Sequence, residues 1–142
     1  MTVRRWLGLA ILLGWIVSLA APVASLSGNR IWGNGLQLLL IGWLGFLMFI
    51  PAWLANFPIM GIGLALLLGR QPPKWLGIIT AFLASTALFW RQVPGDVGSS
   101  HIGHYHFGYW LWIATGWLCL LATRQEAPEP DYSPVPNRHF GE

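Results

Sequence analysis

Three histidines in the segment SSHIGHYHFGYWLW, residues 99–112, have the type and spacing that could bind a metal ion. Imidazole is a common protein ligand for zinc, copper and nickel. The spacing of His104 and His106 puts two rings on one side of an extended segment, whereas His101 and His104 could share a helix face. Together with Asp96, the three imidazoles would suffice for one divalent ion; otherwise we expect no cofactor.

The same segment also fits an aromatic collar at a membrane–water interface. Amphipathic rings at the level of the lipid headgroups need no ligand. We favour this collar over a metal site, and a pH-sensing role for the histidines is a third alternative. The rings that would form the collar with the histidines are Tyr105, Phe107, Tyr109, Trp110 and Trp112.

The composition of the whole chain points to a lipid environment. Of its 142 residues, 55% are hydrophobic and 9% charged, and the mean hydropathy is +0.55. A soluble domain carries about 25% charged residues. The ten tryptophans suit the membrane interface. Eight basic residues are too few for a nucleic-acid surface, so we interpret them as topology signals.

Four apolar regions, residues 6–23, 36–69, 75–90 and 106–123, are the candidate crossings. A crossing takes about 20 residues, so the second region is too long for one and barely enough for two. Lys and Arg collect on the cytoplasmic side of a membrane. A single crossing places six basic residues inside and two outside; two crossings would place three inside and five outside. The inside set is Arg4, Arg5, Arg70, Lys74, Arg124 and Arg138, and the outside set is Arg30 and Arg91.

The sequence therefore predicts an all-α integral membrane four-helix bundle in the inner membrane, with both termini cytoplasmic. Its transmembrane domain is residues 1–124, with crossings at about 6–23, 51–69, 75–91 and 106–123. Residues 125–142 form a Pro-rich cytoplasmic tail that we expect to be disordered. The basic start and short apolar run of residues 1–20 also fit a cleaved signal peptide; we favour an uncleaved anchor.

The segment PAWLANFP breaks the long second region, because prolines at 51 and 58 each lack a backbone donor. Asn56 could cap a helix whose first turn holds Pro58. Residues 36–50 would then form an extra helix that lies in the outer interface or dips into the bilayer. Trp53, Asn56 and Pro58 make up a candidate functional patch at this break.

Small residues recur at every fourth position of each crossing, which would let the helices approach closely in lipid. Hydroxyl groups within the crossings should bond to carbonyls of their own helix, whereas the Asn56 amide needs other partners. The four stripes of small residues are Ala10, Gly14 and Ser18; Gly61, Ala65 and Gly69; Gly77, Ala81 and Ser85; Thr115, Cys119 and Thr123.

Four short motifs occur in order along residues 36–117: Gly42-Trp43-Leu44-Gly45, Trp53-Leu54-Ala55-Asn56-Phe57-Pro58, Gly69-Arg70 and Gly108-Tyr109-Trp110-Leu111-Trp112. This order resembles a loose group of small bacterial inner-membrane proteins without an assigned function. The resemblance implies a bacterial inner-membrane location and four spans, and it implies no activity. The chain departs from the pattern by Phe57, by Trp110 and by its histidines.

No catalytic constellation is evident, since the sequence has one acid, Asp96, outside the tail and no phosphate-binding loop. No ionisable residue lies deep within a crossing, which argues against a pump. We therefore expect a non-enzymatic accessory or assembly subunit of a larger membrane complex, with the bilayer and a membrane protein as partners. The alternatives are a small-molecule binding or transport module and a metal-handling protein that uses His101, His104 and His106.

Overall fold

The computed structural model describes residues 2–26, 30–42, 51–95 and 98–125. Its helices are α1 (Val3–Ala20), α2 (Gly35–Ile41), α3 (Asn56–Leu67), α4 (Lys74–Thr86) and α5 (Phe107–Arg124), and its strands are β1 (Pro22–Leu26), β2 (Arg30–Asn34), β3 (Gln92–Gly95) and β4 (Gly98–Tyr105). Short 3-10 helices, Pro51–Ala55 and Ala87–Phe89, precede α3 and follow α4. The chain is mostly helical, as the sequence predicts.

The four long helices pack as a bundle in which α1 contacts α3 and α5, and α4 contacts α5. Strand pairing brings the ends of α1 and α4 beside the start of α5. At the opposite end, the Gln71 side chain after α3 donates to the Thr123 and Gln125 carbonyls at the end of α5. Helix direction therefore alternates along the chain. We call the two ends the sheet end and the loop end.

A four-stranded antiparallel sheet of order β2-β1-β4-β3 lies at the sheet end. In its centre, Ala24 pairs with Tyr105 and Ser25 with His104, with an irregularity next to Leu26. The sequence analysis predicts no strands. These strands are four to eight residues long and lack the clear apolar alternation by which strands are recognised.

Glycines set the closest helix contacts. A Cβ at Gly8 of α1 would lie 2.7 Å from the Gly63 carbonyl oxygen of α3. A Cβ at Gly77 of α4 would meet the Thr123 hydroxyl and lie 3.0 Å from the Leu120 Cα of α5. The stripe prediction is right for this α4–α5 contact. It is wrong for α3, because a Cβ at Gly61 would have no heavy atom within 4 Å, and α3 packs through the neighbouring face.

Large apolar side chains cover the outside of the bundle, whereas much of its interior is small or polar. The buried polar residues are Ser18, Ser25, Asn56, Thr80, Thr115 and Thr123. The exposed large side chains include Trp6, Leu13 and Ile16 on α1; Phe57, Met60 and Leu64 on α3; Trp75, Ile78 and Phe82 on α4; and Trp110, Trp117 and Leu121 on α5. This distribution is the reverse of a water-soluble bundle.

Among the described residues, α1 alone passes the length and composition test for a membrane span. An N-terminal signal sequence passes the same test. Two further apolar helical stretches, Pro51–Leu67 and Lys74–Phe89, are shorter than 18 residues. Length and composition therefore support one span, α1.

A short helix, α2 (Gly35–Ile41), lies at the start of the extra helix predicted at residues 36–50, and residues 43–50 lie outside the described residues. Asn34 and Gln37 form a capping box at its start. The break and the position of Pro58 in the first turn of α3 agree with the prediction. The predicted cap is wrong: Ala55 occupies the cap position in a helical conformation, and Asn56 is the first residue of α3.

Candidate functional site

Asn56 is the centre of a hydrogen-bond network that joins three helices. Its Oδ1 accepts from the indole Nε1 of Trp15 on α1 and from that of Trp112 on α5, each at 2.9 Å. Its Nδ2 donates to the Trp53 carbonyl oxygen at 2.8 Å. We call Trp15, Trp53, Asn56 and Trp112 the Asn56 hub.

The chemistry of the donors fixes the orientation of the amide. An indole N–H donates and cannot accept, so the atom that faces both indoles must be the Asn56 oxygen. Both of its lone pairs are then used. Because Asn56 is 8% exposed, this oxygen holds Trp15 and Trp112 in place and has no further capacity to bind a ligand.

The break before α3 supplies the third contact of the hub. The 3-10 segment Pro51–Ala55 turns the chain so that the Trp53 carbonyl faces the Asn56 amide three residues later. Pro58 lacks a donor, which the first turn of a helix tolerates because its N–H groups have no partner within the helix. Trp53 and Pro58 are half-buried. The structure thus places the Trp53 carbonyl and the Asn56 amide in contact at the break.

Trp53 extends the hub towards α2 and the surface. Its Nε1 donates to the Leu39 carbonyl oxygen at 2.7 Å, and its ring packs edge-on against Phe57 with a centroid distance of 5.0 Å. Phe57 is 54% exposed, and Leu36 and Leu40 of α2 are also exposed. Because Trp53 contacts both Phe57 and the backbone of α2, we call Phe57, Leu36 and Leu40 together the Phe57 patch. Hydrogen bonds of Trp53 and Asn56 hold the backbone next to this patch in place.

The three histidines do not come together as a metal-binding group in the described part of the chain. His101 and His104 are exposed on β4, and His106 is half-buried at the cap position of α5. The His106 Nε2 is buried and has no hydrogen-bond partner among the described residues. Asp96, the predicted fourth ligand, lies outside the described residues.

The predicted aromatic collar is wrong for two of its five rings. Tyr109 is 4% exposed and donates its hydroxyl to the Ala87 carbonyl oxygen at 2.8 Å, and Trp112 belongs to the Asn56 hub. Tyr105 stacks on Tyr109 at a centroid distance of 4.3 Å and donates to the Trp90 carbonyl. Phe107 and Trp110 do face outwards. Tyr105 and Tyr109 thus connect the end of α4 to the start of α5.

Electrostatics at the Tyr105 corner favour the neutral phenol. Burial raises the pKa of Tyr105, and the Arg91 guanidinium opposes that shift. A neutral phenol keeps its proton and continues to donate to the Trp90 carbonyl at physiological pH. This contact therefore supports the junction of α4, β4 and α5 without a charge.

The prediction for the hydroxyl groups is confirmed. Each donates at 2.6–3.1 Å to a carbonyl oxygen three or four residues earlier in its own helix. These residues are Ser18, Thr80, Ser85, Thr86 and Thr115, together with Thr123. Asn56 differs from these serines and threonines, because its amide oxygen accepts from side chains of two other helices.

The sequence analysis does not identify Trp15 and Trp112 as the partners of Asn56. It assigns tryptophan to the membrane interface, although both indoles lie within apolar segments and need acceptors. The usable signal was the combination of those two internal indoles with a single asparagine in the same region.

No family model, curated protein or solved structure matches this chain. Any function proposed for it therefore rests on its own geometry.

We predict that alanine at His104 and His106 leaves the metal content of the purified protein unchanged, because the three rings do not converge on one point. Elemental analysis of the wild-type and double-variant proteins measures this directly. Stoichiometric zinc or copper that disappears in the double variant would establish a metal site instead.

Proposed function

We propose that this chain is a non-enzymatic subunit that spans the cell membrane four times and helps to assemble or hold a larger membrane complex. The main support for this proposal is that large apolar side chains cover the outside of the bundle. All four long helices expose large apolar side chains such as Leu13, Met60, Phe82 and Leu121. Contact of these side chains with the lipid tails of a bilayer would have no free-energy cost, because lipid tails are as apolar as the side chains.

Dimensions and charge support the membrane placement. An 18-residue helix such as α1 or α5 is about 27 Å long, close to the roughly 30 Å of a bilayer core. The alternating helices put Arg5, Arg70 and Arg124 at the loop end. An excess of Lys and Arg favours the cytoplasmic side, which makes both termini cytoplasmic and agrees with the resemblance to bacterial inner-membrane proteins.

Retention of the first helix is part of this proposal. Ile11 is fully buried, Trp15 donates to Asn56, and Gly8 packs against Gly63. Removal of residues 1–20 as a signal peptide would take all three contacts from the bundle. We therefore expect the intact mass of the mature protein to include α1.

An accessory role suits the site better than chemistry or transport. The Asn56 oxygen is saturated, and the hydroxyls of the helices bond to their own backbone. A transporter would need a broken helix with free polar groups facing its substrate. The Phe57 patch, in contrast, is an apolar surface held in a fixed position, which is what a packing partner requires.

The test is a mild-detergent purification of the tagged protein from its own host's membranes, with mass analysis of what accompanies it. We expect a membrane protein to be recovered in stoichiometric amount. Phe57→Ala should reduce the amount recovered, and Phe82→Ala should leave it unchanged. Phe82 is the matched control because it is 68% exposed on α4. A chain that purifies alone, or a partner indifferent to both variants, would contradict the role given to this patch.

A further inference from the structure

Five cationic residues from three separate parts of the chain lie at the loop end of the bundle. Arg4 and Arg5 lie in the first turn of α1, Arg70 lies in the α3–α4 connection, Lys74 begins α4, and Arg124 ends α5. We call these five cations the basic rim.

Two contacts hold the basic rim together. The Arg5 guanidinium lies beside Gly69, 3.9 Å from the point that a Cβ there would occupy. Gly69 has φ +78, a left-handed conformation that favours glycine and ends α3 tightly. Gln71 donates to the Thr123 and Gln125 carbonyls at 3.4 and 3.0 Å. The starts and ends of α1, α3, α4 and α5 are thereby fixed around one small area.

Exposed indoles adjoin the basic rim on two helices. Trp6 follows Arg5 and is 57% exposed, and Trp75 follows Lys74 and is 58% exposed. Tryptophan concentrates at the boundary between lipid tails and headgroups. The two rings therefore place the neighbouring cations at the depth of the lipid phosphates, rather than in the hydrocarbon or far out in water.

We propose that the basic rim is a binding site for the phosphate headgroups of anionic phospholipids. Several cations held at headgroup depth between helix ends attract lipids that carry a net negative charge more than zwitterionic ones. Arginine adds directional recognition, because its planar fork of N–H donors matches phosphate oxygens. This inference rests on the proposed membrane insertion of the bundle and adds a ligand class to it.

The experiment uses the full chain reconstituted into vesicles of equal parts phosphatidylglycerol and phosphatidylcholine. Lipids that stay with the protein after gentle extraction are counted by mass spectrometry. We expect phosphatidylglycerol to be enriched over the bulk ratio. Each of Arg5→Gln, Arg70→Gln and Arg124→Gln should reduce the enrichment, by up to about fivefold per cation. Arg91→Gln, at the sheet end, is the matched control and should leave the enrichment unchanged.

The outcomes separate this inference from the proposed function. Failure of the chain to insert into vesicles of phosphatidylcholine alone would overturn both. Insertion without phosphatidylglycerol enrichment would overturn the lipid site and leave the four-span proposal standing. An equal loss with Arg91→Gln would also overturn the site, since any cation would then serve. The single variants alter exposed side chains, and unchanged thermal unfolding verifies that each is folded.

Discussion

Replacing Asn56 by leucine is expected to lower the free energy of unfolding by about 2–4 kcal/mol, because it leaves two half-buried indole donors without an acceptor. The variant retains a side chain of similar size, so lost packing contributes little. Trp15 on α1 and Trp112 on α5 both depend on this one oxygen. Unfolding of the detergent-solubilised protein with increasing SDS, followed by circular dichroism, measures the change.

A cycle of variants separates hydrogen bonding from packing at the hub. Trp112→Phe removes one donor and should cost about 1 kcal/mol, whereas Trp110→Phe, at a 51% exposed ring on the same helix, should stay within about 0.5 kcal/mol. Adding Trp15→Phe and Trp112→Phe to Asn56→Leu should recover part of the loss, since no donor then remains orphaned. A triple variant less stable than Asn56→Leu alone would contradict the hub.

Gly77→Leu is expected to destabilise the bundle by about 3 kcal/mol through overpacking. The new side chain would start where Thr123 and the backbone at Leu120 already lie, so α4 and α5 would have to move apart. Thr123 has little freedom to move away, because its hydroxyl is bonded to the Leu120 carbonyl. The same SDS titration gives the change in midpoint.

Gly61→Leu is the matched control for helix propensity and for added apolar volume. A Cβ at Gly61 has no neighbour within 4 Å, and leucine is the better helix former, so stability should be unchanged or slightly higher. If Gly61→Leu and Gly77→Leu lowered stability equally, the close contact between α4 and α5 at Gly77 would be contradicted.

Hydrophobicity and proline positions predicted the helices, because both act locally along the chain. The break at Pro51 and Pro58 and the need of the Asn56 amide for partners followed from single-residue chemistry. The identity of those partners could not be predicted in this way, since Trp15 and Trp112 lie 41 and 56 residues away from Asn56 in sequence. Only helix packing decides which indole faces which amide.

The sheet and the packing face of α3 show where local patterns were insufficient. β1 pairs with β4 across most of the chain, and neither strand has an apolar pattern that would identify it alone. Along α3 and the turn after it, Gly61, Ala65 and Gly69 have the spacing of a packing stripe, but Gly63 of α3 makes the close contact with α1. Spacing every four residues defines a face of a helix and does not say which face meets a neighbour.

Single-cysteine labelling of intact cells with a membrane-impermeant maleimide tests whether the chain crosses the membrane four times with alternating direction. The background is Cys119→Ala, and the four probes are Ile31→Cys, Pro73→Cys, His101→Cys and Gln125→Cys, one after each long helix. We predict labelling at Ile31 and His101 from outside, and at Pro73 and Gln125 only after lysis. Labelling of all four from one side, or of Pro73 from outside, would contradict the four-span bundle.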